Sequence, residues 1–78
     1  MYINEKIKED FISLGNHIKN LRNIRKLTVK ELSLKTGISA RYLQKIEKGI
    51  AYGVLFDKHL CKIANSLQVK ISELLNFK

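Results

Sequence analysis

The residues best suited to molecular recognition lie between positions 40 and 48 of the chain. Arg41, Gln44 and Lys45 are spaced so that a helix would carry them on one side. An arginine guanidinium or a glutamine amide can make two parallel hydrogen bonds to the polar edge of a base, and Ala40 is short enough to admit a methyl group. These residue types predict recognition by hydrogen bonding. The alternative interpretation is an ordinary solvated helix face, as most charged faces are.

The overall charge favours a polyanionic partner. The 78 residues carry a formal net charge of +8, which points to nucleic acid first and to an anionic membrane surface second. A compositional bias toward lysine could produce the same charge, so the placement of the basic residues has to decide. A chain of this length has room for one domain, residues 1–78, with a single apolar core.

Patterns for catalysis or metal binding are missing from the sequence. His59 and Cys61 are close to each other, but no second cysteine or carboxylate completes a metal site. No nucleophile is paired with a base, and no glycine-rich loop could cradle a phosphate. We therefore expect no enzymatic activity, no cofactor, no metal and no small-molecule ligand. Cys61 is predicted to be a small core residue of helix 4.

An apolar stripe at helical spacing predicts helix 1, which ends near Arg25. Asn4 and Asp10 could each cap its start, and we favour a start near Asp10. Residues 1–9 would then form an N-terminal extension, which could instead continue helix 1. The stripe consists of Ile7, Phe11, Leu14, Ile18 and Leu21.

Local signals predict helices 2 and 3 with a tight turn between them. Thr28 is a good N-cap for helix 2, and Glu31 completes a capping box three residues later. Gly37 suits the positive φ with which helices often end. Ser39 caps helix 3, and Gly49 ends it. The residues that face the core are Leu32, Thr36, Leu43 and Ile46.

Two further helices complete the predicted fold. Helix 4 begins near Phe56, and Ser72 is a candidate cap for a last helix. Leu74 and Leu75 are expected to close the core. The inner face of helix 4 consists of Leu60, Ile63, Ala64 and Leu67. The sequence therefore predicts an all-α fold, a compact bundle of five short helices in which helices 2 and 3 form a helix-turn-helix.

The stretch from Leu14 to Leu75 resembles the lambda-repressor and Cro-like helix-turn-helix domains, the XRE-type regulators. The closing stretch KIANSLQVKISELL matches the last helices of that family. The resemblance implies a sequence-specific regulator of transcription that reads a palindromic operator in the major groove of double-stranded DNA as a homodimer. Repressors, restriction-modification controllers and antitoxins all belong to this type. The motif residues are Leu32, Ser33, Gly37, Ile38, Leu43, Ile46, Glu47 and Gly49.

The resemblance and the residue types together suggest a role for each candidate site residue. Arg22 and Glu47 are expected to form an ion pair that fixes helix 3 against helix 1. Val29 departs from the family, which often has glutamine at this position. The base-reading residues would be Ala40, Arg41, Gln44 and Lys45, and the phosphate-contacting residues would be Thr28, Lys30, Ser39, Tyr42 and Lys48.

The partner surface and the setting are open to more than one interpretation. The same fold could serve a protein-binding helical adaptor that does not read DNA, although such an adaptor would be expected to carry apolar residues on helix 3. The candidates for a dimer interface are Leu74, Leu75, Phe77 and Tyr52. With one cysteine, no signal peptide and no membrane span, the protein is expected in the cytoplasm, and the resemblance suggests a bacterial or phage origin.

Overall fold

The computed structural model describes residues 4–56 and 58–76, with side chains for 4–54 and 58–76. Five α-helices occur in this part of the chain: α1 Glu5–Ile24, α2 Val29–Thr36, α3 Ala40–Lys48, α4 His59–Ser66 and α5 Ile71–Leu74. A short 3-10 helix, Tyr52–Phe56, connects α3 to α4. The described ranges contain no strand, so the all-α prediction is confirmed.

Helix α1 begins earlier than the sequence suggested. Asn4 is its N-cap, and the Asn4 side chain accepts a hydrogen bond from the backbone N–H of Ile7 at 2.9 Å. The predicted start near Asp10 is therefore wrong, and residues 5–9 belong to α1. Packing explains the extra turns, because Ile7 lies within them and packs against the core. One turn later, the buried Phe11 ring meets the Tyr52 ring edge-on with 4.9 Å between centroids.

The predicted ends of α2 and α3 are confirmed. Thr28 and Glu31 form both hydrogen bonds of the capping box. Gly37 ends α2 with a φ of +76°, and Gly49 ends α3 with a φ of +80°. The Ser39 side chain accepts a hydrogen bond from the backbone N–H three residues later, as an N-cap should.

All five helices contribute to one core. Helix α1 packs against α3, α2 packs against α3 and α4, and α5 closes on α4 and α1. His17 supports this closure, because its Nε2 atom lies 2.9 Å from the Glu73 carbonyl oxygen. The predicted inner face of α4 is confirmed as buried. The most deeply buried side chains are Ile18, Leu32, Leu43, Val54, Ile63, Leu67 and Leu74.

Several predictions for the C-terminal third are wrong. Helix α4 begins at His59 and not near Phe56, because the 3-10 helix occupies that segment. Ser72 lies within α5 and makes no capping bond. Cys61 is exposed, since it follows Leu60 by one residue and therefore points about 100° away from the buried side of α4. Only the first of the two predicted closing leucines is buried, because Leu75 is 44% exposed.

Replacing Gly37 with valine is expected to lower the free energy of unfolding by about 1–2 kcal/mol, because L-residues resist the left-handed backbone region. No atom lies within 4 Å of a Cβ built at Gly37, so backbone strain is the cause and not a clash. Urea unfolding followed by circular dichroism measures the loss. Gly37→Asn is the control and should lose less, because asparagine tolerates positive φ. Equal midpoints for valine and glycine would contradict the strain argument.

Candidate nucleic-acid interface

Helix α3 presents one buried side and one polar side. Leu43 and Ile46 are buried, whereas Arg41, Gln44 and Lys45 are exposed. Within the described part of the chain, no hydrogen bond or ion pair holds these three polar side chains. Ala40 is partly exposed at the start of the helix. The four predicted base-reading residues therefore share one accessible surface, with the exposed Lys48 at its far end.

Helix α3 lies unusually close to α1, and glycines make this possible. A Cβ at Gly15 would lie 2.6 Å from the Glu47 carbonyl oxygen and closer still to that of Ile46. A Cβ at Gly49 would lie 2.6 Å from the Cα atom of Ile12. Real Cβ atoms do not approach backbone atoms to such distances, so the two glycines permit the close crossing of α1 and α3.

An ion pair holds the end of α3 to α1. Arg22 donates from Nε to Glu47 Oε2 at 2.7 Å and from Nη2 to Glu47 Oε1 at 3.0 Å. Both side chains are largely buried, with exposed fractions of 9% and 8%. Arg22 also donates from Nη1 to the Leu27 carbonyl oxygen at 2.7 Å. Because Leu27 immediately precedes the Thr28 cap, one guanidinium fixes α1, the start of α2 and the end of α3 together.

The turn between α2 and α3 is fixed by two hydroxyl groups. Ser33 Oγ donates to the Ile38 carbonyl oxygen. Thr36 Oγ1 donates to the Leu32 carbonyl oxygen at 2.8 Å and accepts from the Ile38 backbone N–H at 3.1 Å. The Ile38 N–H and carbonyl groups, which lie in the turn, are thus bonded internally. The angle between α2 and α3 is set by these contacts together with the Gly37 backbone.

The start of α2 is another predicted contact point. Glu31 accepts from the Thr28 backbone N–H at 2.9 Å and donates its own N–H to Thr28 Oγ1 at 3.0 Å. The bond from the Thr28 backbone lowers the pKa of the Glu31 carboxyl below its ordinary value, with a smaller effect from the Thr28 side chain. The N–H groups of Val29 and Lys30 have no hydrogen-bond partner among the described residues, and an anion could bind them.

The other predicted phosphate contacts lie on both flanks of α3. Tyr42 is half-buried, and its ring meets the His59 ring of α4 at a centroid distance of 5.1 Å and an interplanar angle of 62°. The Ser39 hydroxyl oxygen already caps α3, and Ser39 and Lys30 are both exposed.

An open groove lies between α1 and α3, beside their close crossing. Two of its residues were not predicted from the sequence. Asn16 and Lys19 stand on α1 beside the end of α3. Both share a helix face with Arg22, at a regular spacing of three residues, and that spacing is the signal that could have indicated them. The lining residues are Asn16, Lys19, Arg22, Val29, Gln44, Glu47 and Lys48.

The predicted dimer-interface residues have different environments. Leu74 is fully buried in the core of the protomer, so its assignment to an interface is wrong. Leu75 is 44% exposed, and Tyr52 is half-buried against Phe11. Phe77 lies outside the described residues.

Two other kinds of site are absent from the described ranges. No helix in these ranges combines the length and apolar character that crossing a membrane requires. No three histidine, cysteine, aspartate or glutamate side chains of the described residues group together in a way that could hold a metal ion.

Comparison with known families identifies the class of protein that this fold and surface define. A family model described as helix-turn-helix, of the XRE and lambda-repressor type, matches residues 18–74, well over half of the chain. The chain therefore belongs to this family of DNA-binding transcription regulators, whose members are typically not enzymes. Comparisons with curated proteins and with solved structures gave no match. The resemblance recognised in the sequence is confirmed.

Proposed function

We propose that this protein is a sequence-specific regulator of transcription that binds a palindromic operator as a homodimer. Each protomer inserts α3 into the major groove of double-stranded DNA, as the second helix of a helix-turn-helix does. The operator controls a promoter in the manner of a repressor, a restriction-modification controller or an antitoxin. The observation that carries the proposal is the exposed polar side of α3, whose side chains have no partner among the described residues.

Base recognition is assigned to the start and middle of α3. Arg41 can donate two hydrogen bonds to O6 and N7 of guanine, and Gln44 can pair with N6 and N7 of adenine. Ala40 leaves room for a thymine methyl group, and Lys45 reaches a guanine or a phosphate. Together these residues read a few base pairs per protomer.

Backbone contacts are assigned to residues around α3. The unbonded N–H groups at the start of α2 suit a phosphate, because they lie at the positive end of the helix dipole. Such contacts set the register of the protein on the duplex without reading sequence. The proposed phosphate-contacting residues are Thr28, Lys30, Ser39, Tyr42 and Lys48.

The homodimer follows from the need for selectivity. One recognition helix reads too few base pairs to single out a site in a genome, whereas two helices one duplex turn apart read a palindrome. Leu75 and Tyr52 are the exposed and half-exposed members of the proposed interface. Ile50, which is 54% exposed just after α3, could extend it.

Selection from a random library of duplexes tests this function directly. Enrichment of one inverted repeat, with half-sites one helical turn apart, is the expected result. Enrichment of a single half-site would support base recognition by α3 but would contradict the proposed homodimer. Failure to enrich any sequence would favour the protein-binding adaptor, although the exposed side of α3 offers it no large apolar side chain.

Arg41→Ala is expected to weaken binding to the selected duplex by about 1–3 kcal/mol, because two hydrogen bonds to one base are lost. Selection repeated with the variant should then tolerate any base at one position of each half-site. Fluorescence anisotropy gives the affinities, with a random-sequence duplex as the control. If both duplexes lose affinity equally, Arg41 contacts a phosphate and does not read a base.

A further inference from the structure

The groove between α1 and α3 has a distinctive chemical composition. Three cations line it together with one carboxylate and two side-chain amides. Lys19 and Lys48 are exposed, on the α1 and α3 sides respectively. The groove is open to solvent, so it could receive part of a large ligand and would not enclose a small one.

The carboxylate in the groove does not oppose an anion. Both oxygens of Glu47 accept hydrogen bonds from Arg22, at 2.7 Å and 3.0 Å, so the acid is neutralised by its partner. Arg22 uses three of its five N–H groups in these two bonds and the bond to the Leu27 carbonyl oxygen. Two guanidinium N–H groups have no partner within the described part of the chain. The two lysines therefore give the groove its net positive charge.

The α2 side of the groove offers no side-chain hydrogen-bond donor. Val29 lines this side, and its side chain is apolar. Side-chain donors for an anion must therefore come from α1 and α3. Asn16 and Lys19 supply them on α1, where a spacing of three residues puts both on one face.

The groove is continuous with the proposed DNA-reading surface. Gln44 and Lys48 belong both to the exposed side of α3 and to the lining of the groove. When α3 lies in the major groove of DNA, a sugar-phosphate strand must run along the side of α3. We propose that Asn16 and Lys19 of α1 bind a phosphate of that strand, so that α1 forms part of the DNA interface. This inference rests on the proposed function.

The salt dependence of binding tests the inference. Lys19→Gln should make the negative slope of log K against log salt concentration shallower by about 0.9 per bound protomer, because one phosphate contact is lost. At constant salt near 0.1 M this corresponds to a loss of about fivefold to tenfold per protomer, equal for the selected duplex and for a random-sequence duplex. Asn16→Ala should weaken binding to both duplexes without changing the salt slope, since asparagine is uncharged.

Lys6→Gln is the matched control. It removes the same charge from the same helix, and Lys6 lies about 140° around α1 from Lys19 and away from the groove. Lys6→Gln should keep the wild-type slope, and Lys19→Arg should restore it. All variants are first checked by circular dichroism for an unchanged unfolding midpoint.

The outcomes separate this inference from the proposed function. If Lys19→Gln keeps the wild-type slope, or loses no more affinity for DNA than Lys6→Gln does, then α1 does not contact DNA. The proposed binding of an operator by the wild-type protein would be unaffected by that result. If Lys19→Gln weakens only the selected duplex, Lys19 reads a base and the phosphate contact is refuted. A wild-type protein that binds no duplex overturns the proposed function and the inference with it.

Discussion

Gly15→Ala is expected to lower the free energy of unfolding by about 3 kcal/mol, a large share of the stability of a domain this small. The added methyl carbon would lie 2.6 Å from the backbone oxygen of Glu47, and backbone cannot rotate away as a side chain can. Helix propensity alone predicts the opposite sign, a gain of about 1 kcal/mol for alanine. A measured loss therefore reports the close crossing of α1 and α3.

Gly53→Ala provides the matched control for this experiment. No atom lies within 4 Å of a Cβ built at Gly53. The free energy of unfolding of Gly53→Ala should therefore differ from that of the wild type by less than about 0.5 kcal/mol. Urea unfolding of both variants gives the comparison. If Gly15→Ala unfolds at the wild-type midpoint, the two helices can separate at no cost, and the glycine contact does not position α3.

Glu47→Ala is expected to cost about 3 kcal/mol or more, because it leaves the buried Arg22 charge without its partner. The double variant Arg22→Met with Glu47→Leu should recover much of the loss, since a buried ion pair is often replaceable by apolar side chains. DNA binding should not recover with it to the same extent, because the bond from Arg22 to the Leu27 carbonyl oxygen is also gone.

A double-mutant cycle distinguishes this pair from two independent charges. Strong coupling between Arg22 and Glu47 is expected, whereas additive losses would contradict the role of the pair. The exposed contact between Lys8 and Glu5, at 3.9 Å, serves as the reference. Lys8→Ala should have little effect on stability, because solvent screens exposed pairs.

The parts of the fold that the sequence could predict are those encoded by neighbouring residues. Three local features belong here: the capping box of Thr28 and Glu31, the Ser39 cap, and the glycines that end α2 and α3. Each involves residues only a few positions apart in the chain. A cap needs a particular side chain, and the end of each helix needs a residue that accepts positive φ, so few residue types fit these positions. The helix-turn-helix was therefore predictable almost residue by residue.

The errors occur where distant residues decide between local alternatives. Asn4 and Asp10 are equally good caps, and the packing of Ile7 against the core favours the first. The same limitation applies to the candidate site. Asn16 and Lys19 look like ordinary surface residues until the tertiary structure brings them beside the end of α3.

The separation of the anchoring residues from the proposed base-reading residues has a consequence for how this protein can evolve. The position of α3 depends on Arg22, Glu47 and the glycines at its crossing with α1. The side chains of Arg41, Gln44 and Lys45 make no hydrogen bond or ion pair within the described part of the chain. Changes at the proposed reading positions therefore cost the fold little, since exposed helix positions tolerate most side chains. Under the proposed function, a duplicated gene could acquire a new operator through a handful of codons, so paralogues can diverge in target while keeping the same scaffold.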